Sequence, residues 1–190
     1  DEIHTTLQKI MPEVKTAEEH AESLLSGGVD SSYVLAMSDI KMTDSCGYDE
    51  ERFDESRLAA ETAKILGREN LRRRITPEEY FDAVPYVMYH MEQPLGDASS
   101  IVFALACKAA AKHTEICYSG EGSDEFFGGY NMYRNAERYG ENLKTFYVGN
   151  TNIMKEEEKA RILKNYSEEV LPIHLVEGIY EETEGLDPLT

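Results

Sequence analysis

The sequence predicts an α/β fold in which a parallel sheet is flanked by helices. Short β-rich runs alternate with amphipathic runs long enough for helices, which is the pattern of a parallel sheet. Two of the β-rich runs lead straight into glycine-rich loops, at residues 25–32 and 119–125. The chain has 190 residues, of which 41% are hydrophobic, enough to form a substantial core. These three observations favour one main domain built around a sheet.

The first half of the chain predicts two strands, each followed by a helix. Apolar residues at helical spacing predict an initial helix within residues 1–20. The following elements, in order, are a strand at 21–25, a helix at 33–37, a strand at 41–46 and a helix at 53–66. Gly67 is the expected stop of that last helix. This order of strand, loop and helix is the beginning of a parallel sheet.

The next elements continue the alternation. Residues 71–75 predict a third strand, and its three consecutive arginines place it at an edge or in an exposed position. Thr76 is a helix N-cap, with Pro77 at the first helical position and Glu79 at the capping-box position. The helix that they begin runs to about Met91. A second helix over 100–112, capped by Asp97 or Ser99, is apolar nearly all round and expected to be buried, and a strand follows at 114–118.

Charge and composition exclude several classes of function. There are 37 acidic residues against 19 Lys and Arg, a formal net charge of −18, which disfavours a nucleic acid as the main ligand. No apolar run approaches the length of a membrane span, so we expect no membrane partner. Three scattered cysteines, Cys46, Cys107 and Cys117, are typical of a reducing, cytoplasmic location.

The first glycine-rich loop, Leu25-Ser26-Gly27-Gly28-Val29-Asp30-Ser31-Ser32, has the features of a phosphate site. Paired glycines allow a sharp turn and bring N–H groups close to a ligand, and the next helix adds its positive N-terminal end. The serine hydroxyls can donate to the same oxygens. Asp30 fits such a cradle if Mg²⁺ lies between the carboxylate and the phosphate. A merely tight turn is the alternative, but it would not need Ser-Gly-Gly and Asp-Ser-Ser together.

The second loop, Ser119-Gly120-Glu121-Gly122-Ser123-Asp124-Glu125, also follows a strand directly. Ligands of open α/β sheets bind outside the carboxyl ends of the strands, so both loops could face one site. Asp124 is then placed to share a metal with Asp30. The alternative is a solvated acidic loop, which is common in an acidic protein.

The two loops together carry a specific resemblance. Residues 26–32 resemble the pyrophosphate-binding loop of the PP-loop ATP pyrophosphatases, a Rossmann-like fold. With Ser119-Gly120-Glu121-Gly122-Ser123-Asp124-Glu125-Phe126-Phe127-Gly128-Gly129-Tyr130, the chain is similar to the synthetase domain of glutamine-hydrolysing asparagine synthetase. The resemblance covers roughly residues 20–135 and includes 45–48, 53–56 and 92–94.

The resemblance implies an ATP-dependent ligase of asparagine biosynthesis, of the glutamine amidotransferase type. The family binds Mg·ATP, adenylates the side-chain carboxylate of aspartate and releases pyrophosphate. Ammonia derived from glutamine then displaces AMP and gives asparagine. By position, the adenosine pocket would be lined by Leu25 and Cys46, and pyrophosphate would be held by Ser26, Gly27, Gly28, Asp30, Ser31 and Ser32. Ser119 and Gly120 would contact AMP, Asp30 and Asp124 would bind Mg²⁺, and Glu121 would take a proton from the attacking ammonia.

The resemblance also implies a larger protein. We expect an ATP pyrophosphatase-type core at 1–135 and a helical extension at 136–190. The N-terminal glutaminase domain, which begins with a nucleophilic cysteine, would be missing, as would a later segment carrying a lysine. We therefore expect this fragment to be inactive alone. The resemblance leaves open a homodimer, a related amide-forming ligase such as a β-lactam synthetase, and a non-catalytic fragment that keeps the fold.

Overall fold

The chain forms a four-stranded parallel sheet with helices on both faces. This structure is a computed structural model that describes residues 2–11, 20–92, 97–130, 154, 156–169, 171, 174 and 177–182. Its strands are β1 (Glu22–Leu24), β2 (Met42–Gly47), β3 (Glu69–Arg74) and β4 (Cys117–Tyr118). Its helices are α1 (Glu2–Ile10), α2 (Val29–Met37), α3 (Ser56–Ile65), α4 (Pro77–Met91), α5 (Ser99–Ala110), α6 (Ser123–Phe127), α7 (Glu156–Ile162) and α8 (Glu177–Glu182), with a 3-10 turn at Glu51–Phe53. The predicted fold class is confirmed.

The strand order is β3-β2-β1-β4, with every neighbouring pair parallel. The chain moves outward from β1 through β2 to β3, and then returns to place β4 on the other side of β1. The direction of winding therefore reverses between β1 and β4. In open α/β sheets a crevice opens at such a reversal, outside the carboxyl ends of the two strands.

Two apolar clusters cover the two faces of the sheet. The first, on the side of α2 and α3, consists of Leu25, Leu35, Ile40, Ala59 and Ala63. The second, on the side of α4 and α5, has four buried members: Ile75, Val87, Ile101 and Leu105. Tyr118 of β4 packs against the first cluster and Cys46 of β2 packs against the second.

The arginine-rich strand lies at an edge, as predicted, and its charges are paired within the chain. Arg72 donates to the Ser56 hydroxyl at 2.9 Å, and Arg74 lies 2.7 Å from Asp49. Arg73 lies 2.9 Å from Glu79 and also donates to the carbonyl of Leu105 at 3.3 Å. These contacts hold β3 to neighbouring segments of the chain, so the three consecutive arginines have a structural role.

The capping box of α4 is confirmed in full. The Thr76 hydroxyl accepts the Glu79 N–H at 3.1 Å, and the Glu79 carboxylate accepts the Thr76 N–H at 3.1 Å. At α5 the N-cap residue is Ala98, not Asp97 or Ser99 as predicted, and the Asp97 carboxylate one position before it accepts the Ser99 N–H at 3.0 Å. The expectation that α5 is buried nearly all round is wrong: Phe103 is 40% exposed. The helix packs one side against β1, β2 and α4 and leaves another side open.

The chain divides into two compact units, Asp1–Gly122 and Ser123–Thr190. The first contains the sheet and α1 to α5. The second contains α6 to α8, and in it Glu156 accepts hydrogen bonds from Lys159 at 2.6 Å and Tyr166 at 3.1 Å. The predicted boundary after residue 135 lies outside the described residues. No helix in the described ranges is both long enough and apolar enough to cross a membrane.

Candidate functional site

The first glycine-rich loop connects β1 to α2 through a turn that requires glycine. Gly27 has a φ of +90°, and a Cβ there would lie 2.8 Å from the backbone nitrogen of Ala59. A side chain at this position would be strained and would also collide with α3. The main chain of the loop therefore packs directly against α3, with no side chain between them at Gly27.

Serine hydroxyls hold the loop in shape. The hydroxyls of Ser26 and Ser31 lie 2.9 Å apart, and the Ser26 N–H donates to the Ser31 hydroxyl at 3.2 Å. The Gly28 N–H donates to the Ser26 hydroxyl at 3.1 Å, while the Ser32 hydroxyl donates to the Gly28 carbonyl at 2.6 Å. The N–H groups of the first turn of α2, which lack partners inside the helix, follow this closed loop at once. Such an end attracts anions.

The two glycine-rich loops meet in the structure. A Cβ on Gly120 would lie 2.6 Å from the nitrogen of Ser31 and 2.9 Å from the carbonyl carbon of Asp30. Only a residue without a side chain allows this approach of backbone to backbone. The contact lies where β1 and β4 end side by side, since Ser23 pairs with Tyr118. The prediction that both loops leave the same end of the sheet is confirmed by this contact.

The carboxylates predicted for the site fall in two units. Asp30 is exposed in the first turn of α2, and Glu121 is exposed directly after Gly120. Asp124 is half-buried in α6 of the second unit, where it lies against Gly129 and its carbonyl accepts the Gly129 N–H at 3.0 Å. In the described part of the chain, no three His, Cys, Asp or Glu side chains come together to hold a metal. A Mg²⁺ shared by Asp30 and Asp124 stays a prediction.

The two residues predicted for adenosine lie on opposite faces of the sheet. The Leu25 side chain is buried in the first cluster, and its N–H donates to the Asp44 carbonyl at 2.8 Å. Cys46 packs against the second cluster, and burial raises the pKa of its thiol, with nearby Arg73 acting in the opposite direction. Because the two side chains point to opposite faces, a ligand could contact both residues only at the ends of their strands. Ser119 is half-buried, and its hydroxyl accepts the Glu121 N–H at 3.4 Å.

A cavity of about 440 Å³ in the first unit was not predicted from the sequence. It is bordered by α4, the start of α5 and Glu121. Its polar side chains are His90, Asp97, Ser99, Ser100 and Glu121. The sequence interpretation placed the histidines at the surface or at helix ends. No local sequence pattern predicted that these residues share a site, because the residues that line the cavity come from three separate segments of the chain.

A pair of buried carboxyl groups was also missed. Glu22 on β1 is 3% exposed and Asp44 on β2 is 6% exposed, and each has an oxygen without a hydrogen-bond partner in the described residues. Burial, reinforced by a hydrogen bond to Asp44 and by its charge, raises the pKa of Glu22 to about 7. The pair lies on the sheet face that packs against α5, because Asp44 precedes Cys46 by two residues.

Comparison with known sequences places the chain in a family. The family model described as asparagine synthase matches residues 3–179. The chain is 34% identical over 184 residues to asparagine synthetase [glutamine-hydrolyzing] 1 of Bacillus subtilis, with 76% of this chain and 29% of that protein covered. It is 30% identical over 139 residues to a putative asparagine synthetase [glutamine-hydrolyzing] of Mycobacterium tuberculosis, with 70% of this chain and 21% of that protein covered. The chain thus spans less than a third of the length of these relatives.

Among solved structures, NMN synthetase from Francisella tularensis aligns with a TM-score of 0.47 and 15% identity, covering 68% of this chain and 57% of that one. An NH3-dependent NAD synthetase from Campylobacter jejuni aligns with a TM-score of 0.46 and 14% identity, covering 95% of this chain and 93% of that one. The sequence relatives and the family model together establish the assignment: this chain belongs to the asparagine synthase family.

Proposed function

We propose that this chain is the ATP-binding part of a glutamine-dependent asparagine synthetase. The observation that carries the proposal is the contact of Gly120 with the backbone of Asp30 and Ser31, at the reversal of the sheet. This contact joins the loops at residues 25–32 and 119–125, which carry the family resemblance, at one crevice. The membership of the chain in the asparagine synthase family supports the same reaction.

The residues of the first loop fit a pyrophosphate group. Gly27 and Gly120 lie where a Cβ would collide with the backbone of Ala59 and of Ser31, so the two loops can pack closely around the start of α2. The main-chain N–H groups at this start would donate to the phosphate oxygens. The N-terminal end of α2 would supply positive partial charge. The hydroxyls of Ser26, Ser31 and Ser32, which are bonded within the loop in this structure, would turn to the phosphate oxygens as donors when the ligand binds. Leu25, Cys46 and Ser119 would border the remainder of the nucleotide.

The acidic residues fit Mg·ATP rather than free ATP. In a chain of net charge −18, a tetra-anionic ligand needs its charge offset locally. Asp30, exposed in the first turn of α2, would hold the Mg²⁺, and Asp124 would be the second ligand. The metal would supply charge neutralisation on the departing pyrophosphate.

The chemistry has two steps. The side-chain carboxylate of aspartate attacks the α-phosphorus of ATP, a new phosphorus–oxygen bond forms, and pyrophosphate leaves, giving β-aspartyl-AMP. Ammonia then attacks the activated carbonyl carbon, AMP leaves, and asparagine forms. Glu121 would accept the proton that the nitrogen loses in this second step, since its exposed carboxylate directly follows Gly120. The complete protein would include a glutaminase domain, would act in the cytoplasm, and could assemble as a homodimer.

Titration calorimetry of Mg·ATP into this chain tests the proposal. We expect micromolar binding, weakened at least about tenfold, or about 1.4 kcal/mol, by Gly120→Ala, because the new methyl group forces the loops apart. Gly178→Ala is the matched control, since a Cβ there meets no atom of the described residues within 4 Å. Asp30→Ala should also lose binding if it holds the metal.

The same titration and aspartate-dependent pyrophosphate release then extend the test to the full-length protein. Absence of Mg·ATP binding there as well would refute the proposal. Pyrophosphate release with another carboxylic acid, but not with aspartate, would identify a related amide-forming ligase instead.

A further inference from the structure

The cavity beside Glu121 has a size and a lining that ammonia does not require. A molecule as small as water or ammonia occupies about 30 Å³, whereas the cavity measures about 440 Å³. Its apolar wall is formed by Tyr86, Val87, Met91, Phe103 and Ala104. Such a wall stabilises an occupant with a hydrocarbon body.

The polar part of the lining is acidic. Asp97 accepts hydrogen bonds from the hydroxyl and the N–H of Ser99, which lower the pKa of its carboxyl group, so it is ionised at neutral pH. Glu121 adds a second carboxylate. Among the lining residues there is no Lys or Arg, although the ammonium group of Lys108 lies 5.9 Å from the centre of the ring of Tyr86, which is a lining residue. The lining therefore favours a cation over a dicarboxylate such as aspartate.

His90 adds a hydrogen-bond acceptor to this lining. Its Nδ1 lies 2.8 Å from the carbonyl oxygen of Tyr86, and a carbonyl can only accept, so Nδ1 carries the hydrogen. In the neutral ring Nε2 then has a free lone pair, which can accept an N–H or a proton. The Tyr86 ring, 4.1 Å from the His90 ring between centres, restricts its orientation.

One residue, Glu121, belongs both to the lining of the cavity and to the second glycine-rich loop. Glu121 borders the cavity, and it directly follows Gly120, which contacts the backbone of Asp30 and Ser31. A nitrogen held beside Glu121 is thus next to the crevice between the two loops.

We propose that this cavity binds a primary amine with an apolar body, as its ammonium ion, and presents it as an acyl acceptor in addition to ammonia. The inference rests on the function proposed above. The bound ammonium loses one proton to Nε2 of His90, and the freed lone pair forms a carbon–nitrogen bond to the acyl adenylate. The bond from carbon to the phosphate oxygen breaks, AMP leaves with the electron pair, and the second nitrogen proton passes to Glu121. The product is an N-substituted amide.

Binding of benzylammonium chloride to this chain, followed by ligand-observed NMR and calorimetry without ATP, tests the cavity directly. We expect saturable binding, weaker by about tenfold for the neutral benzyl alcohol and absent for benzoate. Asp97→Asn keeps a side-chain oxygen that can accept the Ser99 N–H but removes the charge, and should weaken benzylammonium binding by about tenfold as well. Asp82→Asn, at an exposed position of α4 that does not border the cavity, should leave binding unchanged.

Three results would overturn the inference: no benzylammonium binding, equal binding of benzyl alcohol, or no effect of Asp97→Asn. A parallel titration of Mg·ATP separates this failure from a failure of the proposed function. ATP binding without amine binding refutes the amine cavity alone, whereas amine binding without ATP binding, here and in the full-length protein, refutes the synthetase reaction and leaves a cation site.

Discussion

The buried carboxyl groups of Glu22 and Asp44 make the stability of the sheet depend on pH, and Glu22→Gln isolates the effect. The pKa of Glu22 rises from an ordinary 4.5 to about 7, because burial and the bonded Asp44 oppose ionisation. Cys117 on β4, paired with Glu22 in the register, is the other titratable group that faces it from a neighbouring strand. The folded chain therefore binds the shared proton more tightly than the unfolded chain does.

The sign and the size of the pH effect on the free energy of unfolding follow from this difference in proton affinity. A raised pKa in the folded state contributes stability that is fully present below about pH 4.5 and is lost as the pH rises through about 7. At about 1.4 kcal/mol per pH unit, the loss is about 3 kcal/mol. Glu22→Gln carries no proton to lose, and its amide can still donate to Asp44. We expect its stability relative to the parent chain to grow from an advantage of about 1 kcal/mol near pH 5 to about 3 kcal/mol near pH 8.

Urea unfolding followed by circular dichroism, at several values between about pH 5 and pH 8, measures the difference in the free energy of unfolding. Glu69→Gln, at an exposed position on β3, is the control and should give a difference that does not change with pH. If the difference between the parent chain and Glu22→Gln is constant over this range, the two carboxyl groups do not share a buried proton, and the reasoning is refuted.

Three further predictions concern the cap of α4, the first core cluster and the thiols. Thr76→Ala removes the acceptor of the Glu79 N–H and should cost about 1 kcal/mol of unfolding free energy, measured with urea, while Thr76→Ser should restore it. Equal stability of the two variants would contradict the cap. Leu35→Ala, at a site with no exposure, should cost about 2–5 kcal/mol in the same assay, whereas Ile65→Ala, at 83% exposure, should change stability by less than about 0.5 kcal/mol. Although Cys117 is exposed as a residue, desolvation of its thiol raises the pKa to about 11, so alkylation of Cys117 by iodoacetamide, followed by peptide mass spectrometry, should be slow near neutral pH and accelerate as the pH approaches that value; a rate equal to that of free cysteine would contradict it.

Local sequence signals predicted most elements of the first unit. Thr76, Pro77 and Glu79 predicted the start of α4 at the residue where the structure has it, because a capping box depends on residues three positions apart. The strands were found with errors of a few residues at their ends. For β4 the prediction of 114–118 was longer than the observed Cys117–Tyr118, since its first residues pair locally: Thr114 donates to and accepts from Ile116.

The glycine-rich loops were recognisable for the same reason. Residues 26–32 and 119–125 are continuous segments whose composition is unusual for ordinary turns, and their positions after strands predicted a shared edge of the sheet. The start of a helix at Ser123 was not foreseen, because residues 123–125 were interpreted as part of the loop.

What the sequence determined by itself is the local chemistry: the class of the fold, the cap at Thr76, the two loops and the resemblance that they carry. What only the tertiary structure decided is which distant residues meet. The approach of Gly120 to Ser31, the pairing of Glu22 with Asp44, and the joining of His90, Asp97 and Glu121 around one cavity each depend on strand order and helix packing. Periodicity and turn chemistry report interactions over a few residues, whereas these contacts join segments separated by tens of residues and arise only when the chain folds.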